Sequence, residues 1–275
     1  MRKLRWFFIF AAAFAVLTLI IYINVIKAGE PLSSSPFLQY GYYALCGALY
    51  ILLVIRPIAG ILFMPEYSAS EILNCKRGRA FYIKLCKNLL KRGELEPEIS
   101  RRLLLMQSSD EDLHVICRSL YQIYNGAVKS NIEKIIKDRA KSTFYITALS
   151  QNGFIDMLTV LINSFSMIKK IVSVCGFRPS LLKTFKLYIN IFFSSLIAEG
   201  AQSINLSGIL GGALSSGLKK IFNCVTGGAV NAFFMLRSGL LAKEYIFCAD
   251  LKRQKVQLKQ TAFAQAGAML PQILV

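Results

Sequence analysis

Trp6-Phe-Phe-Ile-Phe-Ala-Ala-Ala-Phe-Ala-Val-Leu-Thr-Leu-Ile-Ile-Tyr-Ile-Asn-Val-Ile26 is an uncharged run of 21 residues, preceded by Arg2, Lys3 and Arg5 and closed by Lys27. About 20 apolar residues in a helix cross a hydrocarbon core of ~30 Å, so the run reads as a transmembrane helix. A cleaved signal peptide also begins with a basic cluster, but its apolar part is normally only ~7–15 residues long. The small-x-small cleavage pattern is poor here, because Ile26 stands two positions before Ala28. The reading is an uncleaved anchor.

A loop with turn chemistry follows, Lys27-Ala-Gly-Glu-Pro31-Leu-Ser-Ser-Ser-Pro36, and then a second uncharged run of 19 residues, Phe37 to Ile55. That run crosses a bilayer if it stands upright. Tyr40, Tyr42 and Tyr43 suit an aromatic belt. Ala44, Gly47 and Ala48 offer a small face for packing on the first span. Ile58 to Met64 either prolongs the helix past Pro57 or lies in the interface. Basic residues cluster on one flank of the pair (Arg2, Lys3, Arg5, Arg56, Lys76, Arg77, Arg79), whereas the loop between has only Lys27. The distribution predicts both termini in the cytoplasm.

The rest of the chain agrees with a membrane protein carrying a basic body. Of 275 residues, 33 are Lys or Arg and 15 Asp or Glu, a net charge of +18, yet 55% are hydrophobic and the mean hydropathy is +0.48. Disordered chains combine high charge with low hydrophobicity and are excluded. The length excludes a small disulfide scaffold. Seven cysteines without CxxC pairing read as small buried hydrophobes in a reducing compartment.

Between Lys76 and Arg92 lie seven basic residues and no acidic one. Lys84, Lys87 and Lys91 share one helical face, and Phe81, Leu85 and Leu89 another. Beside a membrane, such a helix contacts anionic lipid at about 1 kcal/mol per cation. A solvated bundle face is an equal reading, and nucleic acid is not expected as a partner. Pro97 opens a helix through Gln107. Ser109-Asp-Glu-Asp112 resembles a capping box. Leu113, Cys117, Leu120, Tyr124 and Ala127 then form an apolar stripe, which Ile132, Ile135 and Ile136 continue after Gly126. Farther on, charges divide the apolar sequence into Met157–Ile168, Leu187–Ala198, Gly200–Leu218 and Ile221–Leu236. These pieces read as core helices of a bundle, with 187–198 and 201–218 as the alternative membrane insertions. Gly208, Gly212, Gly217, Gly227 and Gly228 suit close helix contacts.

Chemistry is sparse. Gly212-Ala-Leu-Ser-Ser-Gly217 approaches a phosphate loop, but Leu218 stands where Lys is required. Ser215 lies in a faint nucleophile-elbow pattern with no histidine base nearby, since His114 is the chain's one histidine. His114 and Cys117 are three apart on a helix, but a metal needs three or four ligands and no second cluster exists in the sequence. No catalytic residue, cofactor or metal is therefore expected. Arg237, Glu244 and Glu199 are charges in apolar surroundings, and Asn231 is a polar residue in a glycine-rich helix. They fix helix packing or dock a partner.

Asn163-Ser-Phe-Ser-Met-Ile-Lys-Lys-Ile-Val-Ser-Val-Cys-Gly176, Leu187-Tyr-Ile-Asn-Ile-Phe-Phe-Ser-Ser-Leu-Ile-Ala-Glu-Gly200 and Gly227-Gly-Ala-Val-Asn-Ala-Phe-Phe-Met-Leu-Arg237-Ser-Gly239-Leu-Leu-Ala242-Lys-Glu244 resemble the YcjF-like bacterial inner-membrane proteins of unknown function. Arg237-x-Gly239-x-x-Ala242-x-Glu244 is the most specific part, and the upstream hairpin matches that family's layout. The resemblance covers about 150–248. Because the related domain also occurs attached to P-loop GTPases, it implies a plasma-membrane location and a link to a GTPase-like protein in another chain.

The expectation is an all-α protein: a transmembrane hairpin (1–65, spans 6–26 and 37–55), a basic amphipathic region (66–149), an apolar glycine-rich helical domain (150–248) and a tail (249–275). It would be a non-enzymatic adaptor in the bacterial inner membrane, with both termini cytoplasmic. Its partners would be the bilayer, a P-loop GTPase-like protein and a second copy of itself. The alternative is a multi-pass transport or pore component.

Overall fold

The computed structural model describes residues 2–67, 77–92, 95–108, 111–150, 152–180, 183–191, 227–247 and 251–274. Among these, every regular element is helical, and strand-like pairing is confined to an isolated bridge between Glu66 and Arg178.

Helix α1 (Arg2–Gly29) and helix α2 (Pro36–Leu62) form an antiparallel hairpin, closed by a 3-10 turn at Glu30–Leu32. Both are long and apolar enough to cross a membrane, with only 6% and 22% of their most apolar windows buried by protein. Their mutual contact is not the one expected. Ala44, Gly47 and Ala48 are exposed, and Gly47 lines the open groove between the two helices rather than a close contact. The seam runs instead through Gln39, Tyr43 and Tyr50: Gln39 Nε2 donates to Gly29 O at 3.5 Å, Tyr43 lies against Gly29, and the Tyr50 and Thr18 hydroxyls share a hydrogen bond of 2.7 Å. In an apolar medium these hydroxyls gain more by meeting each other than small residues gain by close approach.

The second span also runs seven residues past its expected end at Ile55. Pro57 has no N–H to offer the carbonyl four residues back, and its ring crowds that carbonyl. The helix absorbs this with a π turn at Ile51–Ile55, in which Arg56 N–H reaches Ile51 O, and then continues.

Helices α3 (Arg79–Arg92), α4 (Pro97–Ser108) and α5 (Leu113–Ile123) follow. Of the expected capping box only the acidic end, Glu111 and Asp112, is among the described residues. Asp112 is itself the N-cap of α5 and makes no side-chain cap bond, while Ser109 lies outside the described residues. A π turn at Tyr124–Val128 joins α5 to α6 (Lys129–Leu149), so Gly126 does not interrupt the helix. The expected apolar stripe is the buried face: Cys117, Leu120, Tyr124, Ile132, Ile135 and Ile136 are all buried.

Helix α7 (Gly153–Cys175) opens on Asn152, whose Oδ1 accepts the Phe154 N–H at 2.9 Å. It closes on Gly176, held at φ +72° against Asn88 of α3, where a side chain would be strained. It is therefore about twice as long as the segment Met157–Ile168. Asp156 does not end it, because the carboxylate is turned inward and hydrogen-bonds Ser150. A helical stretch at 183–191, here α8, precedes α9 (Gly227–Phe247), α10 (Leu251–Met269) and α11 (Pro271–Leu274). The expected insertion at 201–218, and 187–198 beyond residue 191, lie outside the described residues.

The core is built on α9. From Ala229 to Ile246 every residue is buried except Arg237 and Glu244, which are partly exposed. A helix buried all round needs no polar face, so its sequence is apolar without a stripe. Its neighbours are α6, α7 and α10. Helix α6 runs antiparallel to both α7 and α9: Asn163 Nδ2 donates to Thr143 Oγ1 at 3.0 Å, and Gly228 lies on Ala148 while Gly239 lies on Ile136.

Candidate functional site

The hairpin is fastened to the bundle at its open end. Phe10 of α1 stacks on Phe185 of α8 at 4.9 Å between centroids and meets Tyr188 at 5.9 Å. Just past α2, Arg178 Nε donates to Met64 O at 2.8 Å and Nη1 pairs with Glu66 at 3.0 Å. Tyr67 then meets Phe81 edge-on at 4.7 Å, which sets α3 immediately below the end of the second span.

On α3 the expected division of faces is present. Lys84, Lys87 and Lys91 are exposed, while Tyr82, Leu85, Cys86 and Leu89 are buried. Burial pushes the Cys86 thiol up to about 11. The three ammonium groups thus lie on an open face next to the hairpin's open end.

The residues singled out on α9 divide by role. Gly239 lies against α6 and α7: a Cβ there would sit 2.7 Å from Ile136 Cγ1, 2.9 Å from its Cγ2 and 3.0 Å from Met167 Sδ. Gly228 is equally tight, with Phe144 O and Ala148 Cβ both at 2.9 Å. Ala242 is fully buried. The Arg-x-Gly-x-x-Ala segment is therefore a close-approach seam, in which small residues let helix backbones meet.

Arg237 and Glu244 do not pair with each other. Seven residues along a helix separate them by about 10 Å. Arg237 instead stands 5.9 Å from the centroid of the Phe263 ring of α10 and near Tyr245, and its Nε has no hydrogen-bond partner among the described residues. Burial lowers the guanidinium from its ordinary value, with Tyr245 opposing. Burial likewise raises the Tyr245 phenol, against the hydrogen bond to Asn190 and the charge of Arg237. Asn231 is 1% exposed, and its Oδ1 is also without a partner among the described residues. Glu199 lies outside the described residues.

Sequence reasoning missed the ion pair that ties α9 to α6. Lys243 Nζ meets Glu133 Oε1 at 2.9 Å, with the lysine side chain 10% exposed and the glutamate 48%. A lysine beside Glu244 in an otherwise apolar helix was the available signal, but the partner lies 110 residues away. His114 and Cys117 do not converge, because the first is exposed and the second buried. Ser215 and the Gly212–Gly217 segment are outside the described residues. Between the hairpin helices lies an open groove of about 440 Å³, lined by Thr18, Tyr22, Tyr43, Cys46 and Tyr50 among others.

The model of a family described as a domain of unknown function, DUF697, matches residues 114–266, more than half of the chain. The match begins at the first turn of α5 and takes in α6, α7 and α9, the helices that form the seam. No curated protein and no solved structure matches the chain.

Proposed function

The chain belongs to the DUF697 family, and on that premise we propose that it is a non-enzymatic adaptor anchored by its hairpin in a bacterial inner membrane. Both termini lie in the cytoplasm, and the helical body holds a P-loop GTPase-like partner at the membrane. The observation that carries this reading is the use made of the polar and small residues of α9. Gly239, Ala242 and Lys243 bind α9 to its neighbours, and Arg237 faces Phe263 and Tyr245. The groups that chemistry would draw on hold helices together, while the exposed cations Lys84, Lys87 and Lys91 lie beside the end of the second span. There they attract anionic lipid headgroups and orient the body.

The test is purification of the full chain in mild detergent after cross-linking in cells. A discrete P-loop nucleotide-binding protein in the cross-linked complex supports the adaptor. A monodisperse chain without such a protein in repeated preparations refutes it. Reporter fusions at the two termini and in the 30–35 loop check the orientation.

One observation favours a second reading, a multi-pass transport or pore component: α7 is also long and apolar enough to cross a membrane. Against it, 56% of the most apolar window of α7 is buried by protein. Arg237 also stands by the Phe263 ring of α10 and forms no ion pair with Glu244 among the described residues, which does not favour a shared polar path.

A further inference from the structure

The packed set of α6, α7 and α9 is polarised along its axis. Helix α6 carries Lys129, Glu133, Lys134, Lys137, Asp138, Arg139 and Lys141 in its first part and no charge thereafter. From Ser142 to Ile155, through the turn into α7, there are 14 residues without a charged group. On this stretch Tyr145, Ile146, Leu149 and Ile155 are 51%, 46%, 86% and 48% exposed. Asp156, the next charge, is fully buried. One end of the body is thus an apolar tip, and the other carries the charge.

The contacts with the hairpin fix which way this tip points. Arg178, just past α7, bonds to Met64 and Glu66, just past α2. Nine residues earlier, Lys169 lies against Gly60. Helix α7 also meets the π turn at 51–55. Helix α7 therefore runs beside the last part of α2 in the same direction, with its N-terminus aimed toward the closed end of the hairpin. The aromatic contacts agree. The Thr18–Tyr50 bond sets Phe10 level with Ile58, and Phe10 meets Tyr188, which packs on Phe165 of α7. Helix α6 is antiparallel to α7, so its uncharged end points the same way. If α2 crosses a bilayer, the tip points into it.

We infer that the α6–α7 tip is a re-entrant element, embedded in the hydrocarbon of the leaflet on the side of the body, beside the hairpin. From Lys141 to Leu149 the helix rises about 12 Å, within the ~15 Å that is half of a hydrocarbon core, so the tip enters one leaflet and returns. The described part of the turn pairs three of its backbone N–H groups internally, which lowers the cost of taking them out of water. Ser150 Oγ accepts the Asn152 N–H at 3.2 Å, Asn152 Oδ1 accepts the Phe154 N–H at 2.9 Å, and Asn152 O accepts the Asp156 N–H at 3.1 Å. The occupant of this face is lipid, because the tip points along α2 toward the closed end of the hairpin, level with the exposed apolar part of that span, and Tyr145, Ile146, Leu149 and Ile155 carry no charge for a polar partner. The inference rests on the hairpin being the membrane anchor.

Trp6 is the chain's one tryptophan, which makes fluorescence a direct test. The full chain carrying Trp6→Phe and Leu149→Trp is reconstituted into liposomes whose lipids are brominated midway along the acyl chains. Tyr145→Trp serves as a second probe should Leu149→Trp fail to fold. Lys137→Trp, exposed on the charged part of α6, is the aqueous control. The expected result is loss of most of the emission of the 149 and 145 probes in brominated liposomes, little response of these probes to iodide, and the reverse for 137. Quenching of the 149 and 145 probes by iodide overturns the inference. So does shielding from both quenchers, which would mean that protein covers the patch. Co-flotation of the chain with the liposomes in either case leaves the anchor standing, and failure to float overturns both.

Discussion

Gly239 is, with Gly228, one of the tightly packed glycines of α9, and replacing it by alanine yields a definite sign. The added Cβ would lie 2.7 and 2.9 Å from two carbons of Ile136 and 3.0 Å from Met167 Sδ. Ile136 and Met167 are both fully buried. Ile136 is β-branched on a helix, so it has essentially one side-chain rotamer and cannot turn away. Relief must come from separating α6 and α9, and overpacking of this kind costs about 1–3 kcal/mol. Alanine returns about 1 kcal/mol through its higher helix propensity. With three atoms crowded at once, a net loss of about 1–2 kcal/mol is expected. At roughly 2–4 °C per kcal/mol for a domain of this size, the melting temperature falls by about 2–8 °C.

The control is Gly267→Ala on α10, where a Cβ meets nothing within 4 Å. It should raise stability by about 0.5–1 kcal/mol. Far-ultraviolet circular dichroism of the full chain in detergent reads both. A double mutant with Ile136→Ala, which removes both crowded carbons, should make the Gly239→Ala step favourable, a coupling of about 1 kcal/mol or more. A melting temperature for Gly239→Ala at or above that of the unmodified chain refutes the close-approach reading, as does a cycle without coupling.

Other outcomes follow from the same contacts. Glu133→Ala leaves the mostly buried Lys243 ammonium without its partner, so it should cost more than Lys243→Met, which removes the charge and keeps the volume; chemical denaturation ranks the two, at roughly 0.5–1.5 kcal/mol for a pair half open to solvent. Arg178→Ala removes the bonds to Met64 and Glu66 and should speed limited proteolysis between the hairpin and α3, with little change in the helicity of the body. Because burial raises the Cys86 thiol from its ordinary 9.0 to about 11, the unfolded chain loses that proton first as pH rises. The stability contribution is complete below about 9 and is lost as pH climbs through about 11, so the melting temperature should fall across that window and fall less in Cys86→Ala. Reversing Lys84, Lys87 and Lys91 to glutamate should leave the melting temperature nearly unchanged, since all three are exposed, and should lower the anionic lipid that co-purifies with the chain.

The membrane hairpin was legible because its signal is one-dimensional. A run of uncharged residues long enough to cross a bilayer needs no knowledge of neighbours. The stripe on α5 and α6 was legible for a related reason: a helix with one buried face repeats in the sequence with the period of its turn. The seam on α9 was not. That helix is surrounded, so periodicity vanishes, and Gly239 and Ala242 acquire meaning only from Ile136 and Met167 on other helices. Charges misled in the same region. Asp156, Lys169 and Arg237 look like helix ends in sequence, yet each lies inside a continuous helix, because a neighbouring group or partial exposure accommodates it.

The sequence by itself determined the class of the protein: two long apolar helices, a basic amphipathic segment and a helical remainder. Hydrophobicity, length and periodicity are local quantities, and they are enough for that. Only the tertiary structure decided which face of α2 meets α1, what Gly239, Arg237 and Lys243 touch, and which way the uncharged tip of α6 and α7 points. These depend on contacts between residues far apart in the chain, where close packing and the pairing of buried polar groups, rather than any local pattern, select the arrangement.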